Sequence, residues 1–169
     1  MKKIFVANIL FLLFLAGCKK EQNNNTAAAH LATIKSEILG YWYYQQHDVA
    51  YYNAFSQEMY DQVATPGSLY TNPYFLFNTD TTAYYTYPTP PASVDLSNYI
   101  VKSQNGVDSL IFSGGQNSLR YQIMSISSTQ LVLSRVFADS QEFTGPSGDA
   151  FSTTAGWRAT FSRTRAPAP

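Results

Sequence analysis

Side chains able to do chemistry are few in this chain and poorly spaced for it. The two histidines, His30 and His47, have no cysteine companions and no motif linking them, so they read as surface residues rather than metal ligands. Cys18 is the only cysteine, which rules out a disulfide within the chain. Gly145-Pro146-Ser147-Gly148 lacks the spacing of a strained nucleophile turn. No His-Glu-x-x-His pair and no phosphate loop occur. Asp80, Asp95, Asp108 and Asp139 mostly flank turns, where aspartate serves the backbone. Nothing marks a pair of carboxylates as an acid and its base. The expectation is a protein that is no enzyme and needs no cofactor or metal.

What the chain has instead is rings. Aromatics make up 15% of it, with 13 Tyr and 11 Phe, against 13% charged residues. Tyr, Phe, Thr and Val favour pleated, half-buried surfaces, so the balance leans towards β structure. Lys+Arg and Asp+Glu number 11 each. Without a basic excess, no electrostatic argument for nucleic acid exists.

The N-terminus points to the cell envelope. Lys2 and Lys3 precede an apolar run from Ile4 to Ala16, interrupted only by Asn8. Such a run suits a signal peptide and is too short for a stable membrane-spanning helix. It ends in Leu15-Ala16-Gly17-Cys18, which resembles the lipobox of bacterial lipoproteins. The resemblance implies cleavage before Cys18 and acylation of its thiol. Two or three acyl chains on one residue anchor a protein stably. Lys19 differs from the Asp that retains enteric lipoproteins in the inner membrane, so the resemblance favours the outer membrane. Residues 1–17 are then a signal peptide and 18–26 a polar tether.

The folded domain is expected over 27–165, with 166–169 a disordered tail. Leu31, Ile34 and Ile38 fall on one helical face, which Gly40 ends. A first strand follows over 39–47. Tyr52, Phe55, Met59 and Val63 then recur at helical spacing, predicting a helical insertion over 49–64 that ends at Thr65-Pro66-Gly67. Further strands are predicted over 74–79, 83–87, 96–102, 107–112, 119–126, 130–136 and 156–163. Turn signals such as Asn105-Gly106 and Ser127-Ser128-Thr129 separate several of them. The segment 137–155 reads as a polar loop. Eight short strands with hairpin links predict an all-β, antiparallel up-and-down barrel closed on itself. A transmembrane barrel lacks support, because the strands carry no continuous lipid-facing apolar row.

Leu39-Gly40-Tyr41-Trp42 is similar to the Gly-x-Trp opening of lipocalins and of lipocalin-like lipoproteins from Bacteroidetes-type bacteria. Tyr121-Gln122-Ile123, followed by Leu131-Val132-Leu133, resembles a hairpin common in those lipoproteins, and Phe161-Ser162-Arg163 resembles their closing segment. The resemblance implies that Trp42 at the closed barrel end packs against Arg163, a cation–π contact worth about 0.5–2 kcal/mol. It also implies a binding function. Alternation from the motif positions turns Tyr44, Phe75, Phe77, Tyr99, Phe112 and Tyr121 inward, as candidate contacts for a small apolar or aromatic ligand. The second reading is a packed barrel whose outer tyrosines, among them Tyr41, Tyr43, Tyr51, Tyr84, Tyr85 and Tyr87, bind an envelope protein or glycan.

Overall fold

Branched and aromatic side chains alternate with polar ones along most of the chain, a pattern that packs well only on a pleated surface. The computed structural model describes residues 26–64, 74–86, 94–113 and 118–164. Segment 1–17, Cys18, the tether up to Asn25, the Thr65–Gly67 turn, Tyr87, the prolines at 88–91 and the tail 166–169 lie outside the described residues. The chain divides into two units, 1–36 and 37–169.

In the first unit, helix α1 runs from residue 26 and ends at 37. Thr26 is already helical. Ile34 is buried, Leu31 half-buried and His30 exposed. The Thr33 hydroxyl donates to the Ala29 carbonyl one turn earlier, at 3.0 Å.

In the second unit the strands are β1 (Gly40–Tyr52), β2 (Glu58–Ala64), β3 (Tyr74–Phe77), β4 (Thr82–Thr86), β5 (Val94–Gln104) and β6 (Val107–Ser113). After them come β7 (Leu119–Ile126), β8 (Gln130–Phe137), β9 (Gln141–Gly145), β10 (Gly148–Ser152) and β11 (Thr154–Ser162). Eight of these, β1, β3 to β8 and β11, close into an antiparallel barrel through the β11–β1 pairing. They correspond to the eight strands expected from the sequence. Closure leaves these strands with partners on both sides.

The expected helix over 49–64 is not formed; the segment is the β1–β2 hairpin. Tyr51 pairs with Tyr60 and Ala50 with Asp61. The supposed helical stripe covers nothing, since Phe55 is 84% exposed, Val63 62% and Met59 45%. What wins is alternation in His47, Val49 and Tyr51 together with a strong turn. The Asn53 side-chain oxygen accepts from the N–H groups of Phe55 and Gln57 at 2.9 and 3.0 Å. Ser56 takes a positive φ of 59° within that turn. Both β2 and β3 lie on the β1 edge opposite β11, because Tyr43 pairs with Ser162 and with Tyr74 while His47 pairs with Ala159 and with Ala64.

The expected polar loop over 137–155 holds a second hairpin, β9–β10, which pairs Phe143 with Ala150. Its strands are short, half polar and carry a glycine each, so their alternation was masked. Phe143 is its one buried large side chain.

A bulge decides what faces the interior. The β1–β11 register shifts between Tyr44 and Gln46. The extra residue reverses the alternation, so Trp42, Tyr44, His47, Val49 and Tyr51 share the inner face. His47 is therefore half-buried inside the barrel, contrary to its reading as a surface residue.

At one end the interior is sealed. Trp42 is fully buried and its indole N–H donates to the Ile38 carbonyl at 2.7 Å. The Arg163 guanidinium carbon sits 3.7 Å from the centre of the Trp42 ring. The same guanidinium donates to the carbonyls of Leu39 at 2.5 Å, Tyr41 at 3.1 Å and Glu37. Gly40 is required there twice over: its φ is +93°, and a Cβ would lie 3.0 Å from Arg163 Nη1.

Candidate functional site

Above Trp42 the interior is a continuous set of rings. Phe75 stacks against Phe77 at 5.6 Å and Phe112 at 5.5 Å, and tilts against Phe161 at 5.1 Å. Phe77 meets Tyr99 edge-on at 4.9 Å. Such offset and edge-on contacts are the preferred aromatic geometries, contributing roughly 0.5–1.5 kcal/mol per pair beyond burial. Leu110, Leu131, Leu133 and Ala159 fill the spaces between and are fully buried.

The six inward candidates thus separate into two groups. Phe77, Tyr99 and Phe112 are at most 5% exposed and belong to the packed floor. Tyr99 is further locked by donating to the Asn78 carbonyl at 2.9 Å. Tyr44, Phe75 and Tyr121 are half-buried and form its upper boundary.

Two residues outside those six complete this upper layer. Trp157 pairs with Val49 across β11 and β1 and lies 5.5 Å from the Tyr121 ring. His47 lies 6.3 Å from the Trp157 ring and 5.7 Å from Tyr44. The alternation of Trp157 with Ala159 and Phe161 was visible in the sequence. The inward turn of His47 was not, since it depends on the bulge.

The Tyr44 hydroxyl and His47 Nδ1 are 2.5 Å apart. Burial pushes the Tyr44 phenol up to about 12, against which a backbone contact from His47 works in part. Burial also holds the His47 imidazole below its ordinary value, opposed by the Asp48 carboxylate. Both groups are neutral at pH 7, joined by a single hydrogen bond. The layer therefore offers ring faces with one polar edge, formed by the joined phenol and imidazole.

A second aromatic cluster lies beside the layer. Tyr51 stacks on Phe143 at 4.4 Å and on Tyr60 at 6.3 Å, and Tyr60 stacks on Phe143 at 5.6 Å. These contacts join the β1–β2 hairpin to the β9–β10 hairpin. Tyr51, grouped from the sequence with outward tyrosines, in fact faces this stack.

Tyr41, Tyr43 and Tyr74 cluster on the outer face of β1 and β3. The rings of Tyr41 and Tyr43 are nearly parallel at 6° and 5.8 Å apart, with Tyr74 at 5.5 and 6.2 Å. The side chains of Tyr84 and Tyr85 lie outside the described residues.

Among the described residues no three His, Cys, Asp or Glu side chains are grouped to hold a metal ion. No family model, no curated protein and no solved structure matches the chain.

Proposed function

We propose that this is a lipid-anchored envelope protein that holds a small apolar or aromatic molecule in a lipocalin-like barrel. The observation that carries the reading is the half-buried layer of Tyr44, His47, Tyr121 and Trp157 above a closed aromatic floor. Ring faces with a few polar groups at one edge are the usual lining of small-molecule sites. Phe75 and Phe112 form the base on which a ligand ring would rest. Phe77 and Tyr99 support that base from below.

The binding half is tested by titrating the purified domain with phenylnaphthylamine, a neutral aromatic probe. Saturable probe fluorescence is expected, with loss of Trp157 emission, and Tyr121→Ala should weaken binding at least tenfold. A clean ligand-free mass from the native host, together with no saturable probe binding, would remove the carrier reading. The anchor half rests on Cys18, and Cys18→Ser should release the protein from membranes on cell fractionation. Retention of the variant in the membrane fraction would count against acylation.

A second reading has its own observation, the outward cluster of Tyr41, Tyr43 and Tyr74. Clustered tyrosines offer contact area at low entropic cost and suit an envelope protein or glycan partner. On that reading Tyr41→Ala with Tyr43→Ala abolishes partner binding, while Tyr121→Ala leaves it unchanged.

A further inference from the structure

The outer face of β6, β7 and β8 carries a feature independent of the barrel interior. The β7–β8 pairing runs no further towards the start of β7 than Gln122 opposite Ser134. Beside that point lies an open groove of about 430 Å³, whose lining includes Ser109, Arg120, Gln122, Ser134 and Arg135. None of the lining residues is acidic, so the Arg120 guanidinium stands at the groove with no carboxylate of its own to neutralise it.

Arg120 is held in place. Its Nη2 and Nε donate to the Ser109 hydroxyl at 3.1 and 3.4 Å. Ser109 itself is only 1% exposed, so the anchoring oxygen is fixed in the sheet. Nη1 of Arg120 has no acceptor among the described residues. Arg135, also in the lining, pairs with Trp157 on the inward face of β8, and its guanidinium rests over the Phe137 ring, 4.9 Å from its centre. A guanidinium whose orientation is already fixed loses little freedom on pairing with a carboxylate, and it can do so through two parallel hydrogen bonds.

The remaining lining decides the rest of the ligand. Serine hydroxyls and the Gln122 amide supply donors and acceptors together, the complement of a hydroxylated molecule. Val107 and Val136 add two small apolar surfaces and no ring. The volume suits one small molecule rather than a polymer segment of many units. We propose that this groove binds a small hydroxylated carboxylate, of the class of acidic sugars, with Arg120 as its principal anion contact.

The experiment is a titration of the soluble domain with glucuronate, followed by amide chemical shifts in β6 to β8, with glucose and inorganic sulfate as comparison ligands. Saturable glucuronate shifts confined to these strands are expected, with no saturation by glucose. Arg120→Gln and Gln122→Ala are each expected to weaken binding at least fivefold at unchanged thermal midpoint. Raised salt should weaken it further, as for any exposed charge pair. Absence of glucuronate saturation would overturn the proposal, as would wild-type affinity in Arg120→Gln. Sulfate binding as tightly as glucuronate would overturn the hydroxylated part of the assignment, leaving a bare oxyanion contact. Should Arg120→Gln fail to fold, Gln122→Ala still decides the outcome.

Discussion

At Gly40 a single absent methyl group permits the sealed end of the barrel. The residue sits at φ +93°, and a Cβ there would press on Arg163 Nη1 at 3.0 Å. Gly40→Ala combines backbone strain of about 1–2 kcal/mol with displacement of that guanidinium. Trp42→Ala removes a fully buried indole together with the ring beneath Arg163, and should cost about 3–5 kcal/mol in urea unfolding. Near wild-type stability of that variant would mean that the floor tolerates a large void. His47 behaves differently because it titrates. Its native pKa is held below the ordinary 6.5 by burial, so the unfolded chain binds a proton that the folded one resists. Stability from this source is fully present above about pH 6.5 and is lost as pH falls through the lowered native value. Urea midpoints compared at pH 8 and at mildly acid pH should show a drop in the wild type that is smaller in His47→Gln. An identical drop in both would assign the acid sensitivity to other groups.

Among the elements, what was legible in the sequence is the set of barrel strands. Each is short, alternates on its own and is bounded by turn residues, as at Asn105-Gly106, where both residues take positive φ. The two hairpins that escaped detection fail this test for opposite reasons. In β2 the apolar residues Met59 and Val63 are exposed rather than buried, so their spacing carried no information about the core. In β9 and β10 half of the positions are polar and two are glycine, Phe151 is exposed, and Phe143 finds its partners on distant strands. The bulge at Gln45 was equally unreadable, because one inserted residue leaves no local signature while it turns His47 from outside to inside. Of the six site candidates, alternation placed all on the inner face, yet it could not separate packed floor from half-open layer. The Tyr51–Phe143–Tyr60 stack gives these elements a test of their own. Phe143→Ala and Tyr60→Ala should each destabilise, and their double mutant should fall short of additivity by about 0.5–1.5 kcal/mol. Strict additivity would show that the β9–β10 hairpin docks without this contact.

The second unit holds a closed barrel whose interior changes character along its length. Trp42, Phe77, Leu110, Leu131 and Leu133 leave no large side chain exposed in the floor, whereas Tyr44, His47, Tyr121 and Trp157 are each only half-buried. A barrel that served packing alone would gain by replacing the phenol and imidazole with leucine or phenylalanine, since buried polar edges bring desolvation without adding apolar area. On the proposed reading the stabilising and the recognising residues lie in different layers, which makes stability and binding separable. Phe77→Ala should lose about 3–5 kcal/mol, the range for a buried large aromatic. Ligand affinity at a temperature where this variant remains folded should then stay close to wild type. Trp157→Phe and His47→Gln at neutral pH should keep the unfolding midpoint near wild type and lose most of the affinity for an aromatic probe. The decisive comparison plots change in unfolding midpoint against change in probe affinity for substitutions in both layers. Two separate groups of points are expected. A single line through all of them would mean that the upper layer is core like the rest, and that whatever the protein recognises is met on its outer face.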